Sequence, residues 1–243
     1  METHLEFIIG PCNREAWEVT ERFLSHRGYA FLHVICEAGG CSALLSSMAR
    51  RIRERGMSVD EWTAEERPWR DENLDALDFL FIHSSYYLLD MPHRQLELKA
   101  RFLKLAAQGS RIAADFDAER FGDQPLGRQL GVELERAYNC ASVQPERPAD
   151  GPVPRAAEFV ARIESLDHAT AAGIARQHLE RQRMDITPQA FDELLMLPNC
   201  FHARALINYI FISGAHARLR GSRVIEDVDI QRLATRLCRE CME

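Results

Sequence analysis

The chain has 243 residues, 46% of them hydrophobic, with 30 Lys and Arg against 37 Asp and Glu and a formal net charge of −7. That apolar share is ample for a real core, and the acidic balance argues against a broad polyanion-binding footprint. With no N-terminal apolar h-region and no apolar span of about 18 residues, neither export nor a membrane partner is expected, and the cytoplasm is the expected compartment. The seven cysteines (Cys12, Cys36, Cys41, Cys140, Cys200, Cys238 and Cys241) are odd in number and scattered through core-like segments. Reduced thiols in a reducing compartment are therefore expected. Cys238 and Cys241 form a C-x-x-C with no second pair at zinc spacing, so no metal site is expected.

In chain order, Phe7-Ile8-Ile9 is a short apolar segment, followed by a turn and a helix capped near Asn13 that runs to about His26. Phe31 to Ile35 is a continuous apolar run, read as a buried strand. Small residues Ala38-Gly39-Gly40 lead from it into a helix from Ser42 with Leu44, Leu45 and Met48 on one face. Met57-Ser58-Val59 reads as an edge strand, Leu77 to His83 as a strand buried on both faces, Arg94 to Gln108 as a helix, and Arg111 to Asp115 as a further strand. Strands alternating with helices at this spacing predict a mostly parallel sheet with right-handed crossovers. A short strand is also possible at Ala141-Ser142-Val143.

Gln144 to Pro154 carries four prolines and one glycine and reads as a linker or exposed loop. Beyond it the pattern is helical throughout: Arg155 to Ile163, His168 to Arg183, Thr187 to Leu197, His202 to Arg220 and Glu226 to Glu243. The expected organisation is an α/β domain over 1–150 and a helical domain over 151–243.

The strand, small-residue turn and helix around Gly40 have the architecture of a phosphate-binding loop, in which backbone N–H groups and a helix N-terminus converge on an anion. Laid over this chain, G-x-x-x-x-G-K-[ST] falls on Ile35 to Ser42. Gly40 and Ser42 match, Ile35 replaces the first glycine, and Cys41 replaces the lysine. Two readings stand: a surviving anion or nucleotide cradle, and an inherited turn that only packs, the second being favoured. Cys41 itself reads as a filler residue ahead of a reactive thiol at a helix N-terminus.

Several segments together carry a resemblance. Phe7-Ile8-Ile9-Gly10-Pro11-Cys12-Asn13-Arg14 is similar to an F-x-x-G-P-S-N-R entry segment, and Leu77 to Leu89 stands at a Walker B strand. Arg111 to Asp115 stands at a sensor-1 strand, and Asn199 to Leu206, with Arg204, at a sensor-2 lid helix. In order and spacing the chain resembles the DnaA/Hda AAA+ family. The resemblance implies a P-loop-type parallel sheet flanked by helices, followed by a C-terminal helical lid bundle. It also implies a nucleotide site that, if present in residual form, would use Gly39, Gly40, Cys41, Ser42 and Arg204 with ADP or ATP.

The departures from that family carry the functional reading. A P-loop lysine is a point charge on the phosphates, whereas His83 and Ser84 stand where the acids that hold Mg²⁺ and polarise water belong. Asp115 and Glu37 add negative charge near a γ-phosphate position. No catalytic residues, no required cofactor and no ATP hydrolysis are therefore expected. Arg136, then Arg128, are the arginine-finger candidates. The tyrosines Tyr86 and Tyr87 with Leu88 and Leu89 read as core ahead of a partner patch.

The expected function is that of a non-catalytic protein acting on a protein partner such as DnaA or another AAA+ protein in replication initiation. Self-association is left open. A nucleotide switch without hydrolysis is the alternative. A DNA-binding accessory factor using Arg50, Arg51, Arg53 and Arg55 is the third reading.

Overall fold

A computed structural model describes residues 7–28, 30–36, 39–63, 76–83, 101, 104–105, 107–117 and 157–240, with the backbone alone described at 116–117, 158 and 238–240. The chain forms two compact units. One gathers Arg14–Glu37 and Cys41–Ile163, the other Met1–Asn13, Ala38–Gly40 and Glu164–Glu243.

The first unit is built on a sheet. Its strands are β1 (Ala30–Cys36), β2 (Val59–Thr63), β3 (Phe79–His83), β4 (Arg111–Asp117) and β5 (Ala157–Ile163), in the order β2-β3-β4-β1-β5. Every pairing is parallel. Burial on both faces explains why β1 and β3 read as unbroken apolar runs rather than alternating ones: Phe31, Leu32, Val34, Phe79, Leu80, Phe81 and Ile82 are all fully buried.

Helix α1 (Arg14–Ser25) buries Ala16, Val19, Thr20, Phe23 and Leu24, the spacing of one helical stripe. Phe23 meets Phe79 and Phe159 edge-on at centroid distances of 6.0 and 5.8 Å. Helix α2 (Cys41–Glu54) buries Leu44, Leu45, Met48 and Ile52 against the sheet.

The segment Arg155 to Ile163, expected to open the helical region, is corrected by the structure: β5 is a strand. It pairs along the whole of β1, Ala157 with Ala30 through Ile163 with Cys36. Its short apolar run suits either period, and the free edge of β1 decides between them.

The second unit is helical, with α3 (His168–Gln182), α4 (Pro188–Leu195), α5 (Ala203–Leu219) and α6 (Asp227–Glu240). Ala175, Leu194, Leu206, Ile210, Ile230 and Leu233 lie in its core. A two-residue parallel pair, β6 (Asp185–Ile186) with β7 (Val224–Ile225), interrupts the all-helical pattern expected there. Helix α4 starts as expected, with Thr187 as N-cap bonding Ala190 N and a proline in the first turn.

The N-terminal segment packs into this helical unit. Asn13 ties its own turn by accepting from Gly10 N at 2.8 Å and donating to the Ile8 carbonyl at 2.8 Å. Asp167, the N-cap of α3, accepts from Cys12 N, Thr170 N and the Thr170 hydroxyl at 3.0, 2.9 and 2.8 Å. A Cβ at Gly10 would collide with the Thr170 hydroxyl, so the Gly-Pro-Cys-Asn stretch is explained by packing and hydrogen bonding within the fold.

Candidate functional site

Open parallel sheets take ligands outside the carboxyl ends of their strands, at the point where the strand order reverses. Here that point lies at β1, which has β4 on one side and β5 on the other. The strand ends there are Cys36 on β1, Asp115 to Asp117 on β4 and Ile163 on β5, with His83 ending β3 two strands from β1.

After β1 the chain turns through Gly39 and Gly40 and enters α2 at Cys41. Gly39 and Gly40 have φ of +78° and +102°, backbone conformations that glycine adopts without a Cβ penalty. Within the helical unit, a Cβ at Gly39 would stand 3.8 Å from the backbone nitrogen of Arg204, while one at Gly40 would meet nothing within 4 Å. Ser42 is exposed and no acid stands in the first turn of α2.

Cys36 and Cys41 are joined in a disulfide with their Cα atoms 5.9 Å apart. This corrects the expectation of reduced thiols throughout. Counting cysteines does not reveal that a strand end and the next helix start bring two of them to bridging distance. Cys41, the candidate at the lysine position, is therefore committed to Cys36. Among the described residues, Cys12 and Cys200 are free thiols.

Arg204 is exposed in the first turn of α5, whose N-cap His202 makes no side-chain capping bond. Of the five candidate site residues, the fold brings the Gly39 backbone to Arg204, turns Cys41 into the disulfide, and leaves Gly40 and Ser42 without an assigned side-chain or Cβ contact.

Sequence reasoning placed His83 at a Walker B position and missed its partner. Glu61 on β2 accepts from His83 Nε2 at 3.0 Å and from Arg53 Nη2 at 2.8 Å, through the register that sets Thr63 opposite His83. Partial burial pushes the Glu61 carboxyl upward, but the hydrogen bonds and charges of His83 and Arg53 outweigh this and hold it below the usual carboxylate range. Nothing in the local sequence signals the pair, since its members lie 22 residues apart on neighbouring strands. Asp115, at the sensor-1 position, is buried on β4 opposite Val34.

The arginine row of α2 and the turn after it is engaged within the protein. Arg50 pairs with Glu54, Arg51 and Arg55 with Glu21, and Arg53 with Glu61. Arg51 also stacks 4.8 Å over the Trp17 ring. Glu37, Ser84, Tyr86 to Leu89, Arg128, Arg136, Cys140, the 141–143 strand, the 145–154 loop and Cys241 lie outside the described residues, as does the side chain of Cys238. Among the described residues no group of three His, Cys, Asp or Glu is placed to hold a metal ion. No described helix is long and apolar enough to cross a membrane.

No protein-family model matches the chain, and no curated protein matches it in sequence. Solved structures do match. Domain III of the replication initiation protein DnaA from Thermotoga maritima is similar with a TM-score of 0.67 and 18% identity, over 94% of this chain and 93% of that one. AMPPCP-bound DnaA from Aquifex aeolicus gives 0.59 and 17% over 97% of this chain and 69% of that one. The ORC2 protein of Aeropyrum pernix gives 0.60 and 12% over 97% and 70%. The chain spans only 65 and 66% of two further replication-initiator chains. A parallel five-stranded sheet in the order β2-β3-β4-β1-β5 followed by a helical unit, matched end to end by DnaA domain III, shows that this chain has the DnaA-like AAA+ fold.

Proposed function

We propose that the chain is a non-catalytic DnaA/Hda-like protein that acts through protein contacts, engaging DnaA or another AAA+ protein to regulate the initiation of DNA replication. One observation carries the reading: the positions at which this fold needs charge for phosphoryl transfer are filled by the chain's own partners. Cys41 is bonded to Cys36, and His83 is hydrogen-bonded to Glu61. Phosphoryl transfer depends on a cation at the phosphates and on acids that hold Mg²⁺ and place the attacking water. A buried disulfide offers neither, and a histidine already paired with a carboxylate does not replace a pair of free acids. Among the described residues, neither Cys41 nor His83 supplies the charge that Mg·ATP hydrolysis requires.

Equilibrium binding of labelled ATP and ADP with Mg²⁺, followed by product analysis, tests this reading. The expected result is no turnover. Tight Mg²⁺-dependent binding with release of phosphate removes it. The partner arm is tested by titrating the chain into purified DnaA and following the initiator's own ATP turnover, which is expected to change; an unaltered rate at saturating chain argues against that partner.

A nucleotide switch without hydrolysis is the second reading. It is favoured by the two left-handed glycines and by a helix start free of acidic residues, since backbone N–H groups hold an anion without a lysine. A melting temperature that rises with millimolar ADP or ATP supports it through mass action, and an unmoved one sets it aside. The DNA-binding reading is weakened because Arg50, Arg51, Arg53 and Arg55 are already paired with Glu54, Glu21 and Glu61 within the protein.

A further inference from the structure

Helix α5 has two faces of different character. Leu206, Ile210, Gly214 and Ala217 are buried on one of them. On the other, Phe211 is 62% and Leu219 84% exposed, with the half-buried Ala215 between them. These three residues follow one another at i, i+4 and i+8, so they form a single ridge that is large at both ends and small in the middle. Scattered apolar residues on a surface are ordinary. A ridge notched at its centre is a shape that seats a side chain of another helix, because helices pack ridge into groove.

Charge says what that other helix carries. From Leu194 to Ile225 the chain has no Asp or Glu, although acids outnumber bases over the whole sequence. Arg204 and Arg218 stand exposed on the same side of α5 as the ridge, and neither has an acidic partner among the described residues. Arg218 donates only to the Gln182 carbonyl, at 3.3 Å. The helix dipole favours Arg218 in the last turn but opposes Arg204 in the first, so the dipole does not explain both. The two arginines bracket the ridge from fourteen residues apart, about 21 Å along the helix axis.

We propose that the outer face of α5 docks an acidic amphipathic helix of a partner protein. An apolar side chain of that helix sits over Ala215 between Phe211 and Leu219, and its flanking carboxylates meet Arg204 and Arg218. A second copy meeting this face with its own would set arginine against arginine. A nucleic-acid backbone would satisfy the arginines and leave Leu219 in water, and two anchors do not make the continuous apolar face that lies in a bilayer. The inference rests on the protein-contact reading in taking a protein as the occupant.

The test is fluorescence anisotropy of the full chain with a labelled synthetic peptide of about 18 residues, its leucines on one helical stripe and its flanks glutamate. Saturable binding is expected, weakened by salt and by Arg218→Glu. Phe211→Ser and Leu219→Ser are each expected to weaken it about tenfold while keeping the wild-type melting temperature, since both side chains are exposed. A peptide of the same composition with its leucines dispersed around the helix is expected to bind equally weakly. No binding at millimolar peptide, equal binding of the dispersed peptide or of a lysine-for-glutamate version, or equal binding by the serine variants would each overturn the proposal. So would a dimer, or a hold on a single-stranded oligonucleotide or phosphatidylserine vesicles, that Phe211→Ser abolishes. Should a variant fail to fold, carbene footprinting of the wild-type chain decides: peptide-dependent protection of Phe211 and Leu219 supports docking, and unaltered labelling overturns it. Failure here leaves the DnaA turnover result, by which the protein-contact reading is judged, untouched.

Discussion

The start of α3 and the neighbouring strands β2 and β3 each hold a carboxylate below its usual range, by different means. At α3, burial raises Asp167, and the Thr170 and Cys12 N–H groups with their side chains more than reverse it. These partners are mostly backbone, and they close a helix cap and the turn of the N-terminal segment. On β2, the Glu61 carboxylate is held by side chains, His83 from β3 and Arg53 from α2. The first arrangement is scaffolding that ties the N-terminal segment to the start of α3. The second occupies a position that the family resemblance assigns to metal-binding acids and fills it from within, which is the basis for reading the chain as non-catalytic.

Replacing residues on either side of this contrast produces graded effects. Phe81→Ala, in the fully buried centre of β3, is expected to cost about 3–5 kcal/mol through lost transfer energy and the cavity left behind, read by urea denaturation. This sets the scale on which polar replacements are judged. Asp167→Ala is expected to cost about 1–2 kcal/mol, as loss of a helix cap does. Glu61→Gln is expected to cost less than about 1 kcal/mol, because a part-exposed ion pair is screened by solvent. A Glu61→Gln cost equal to that of Asp167→Ala would erase the distinction between the scaffold and the Glu61 pair.

The pH dependence sharpens the same comparison. Both carboxyls are lowered in the folded protein, so each contributes stability that is fully present above its unfolded pKa, near 4. That contribution is lost as pH falls from there through the folded value. Denaturation midpoints measured from pH 6 down to pH 2 should fall for the wild type. The fall is expected to be shallower in Asp167→Asn, and less so in Glu61→Gln. An unchanged slope in Asp167→Asn would show that its hydrogen bonds do not discriminate between the protonation states.

The smallest expected effect is that of Mg·ATP on the melting temperature, which should be indistinguishable from zero. A rise at millimolar nucleotide would mean that the turn still accepts phosphate in spite of the disulfide, and that the nucleotide-switch reading is the better one.

The parallel α/β architecture, the helical C-terminal half, the turn at Gly39-Gly40 and the cap at Thr187 were legible in the amino-acid sequence. They rest on apolar periodicity and on glycine and proline chemistry, which act between residues close in the chain. The segment 155–163 was misread as a helix because its short apolar run is compatible with both periods until the edge of β1 is there to pair with it. The Cys36–Cys41 bond, the Glu61–His83–Arg53 cluster and the pairing of the α2 arginines were decided only by tertiary structure. Each depends on the distance between residues on different elements, and that distance is set by strand register and by the way helices lie on the sheet. Residue type and spacing determine which groups are available, whereas the folded backbone determines which of them meet.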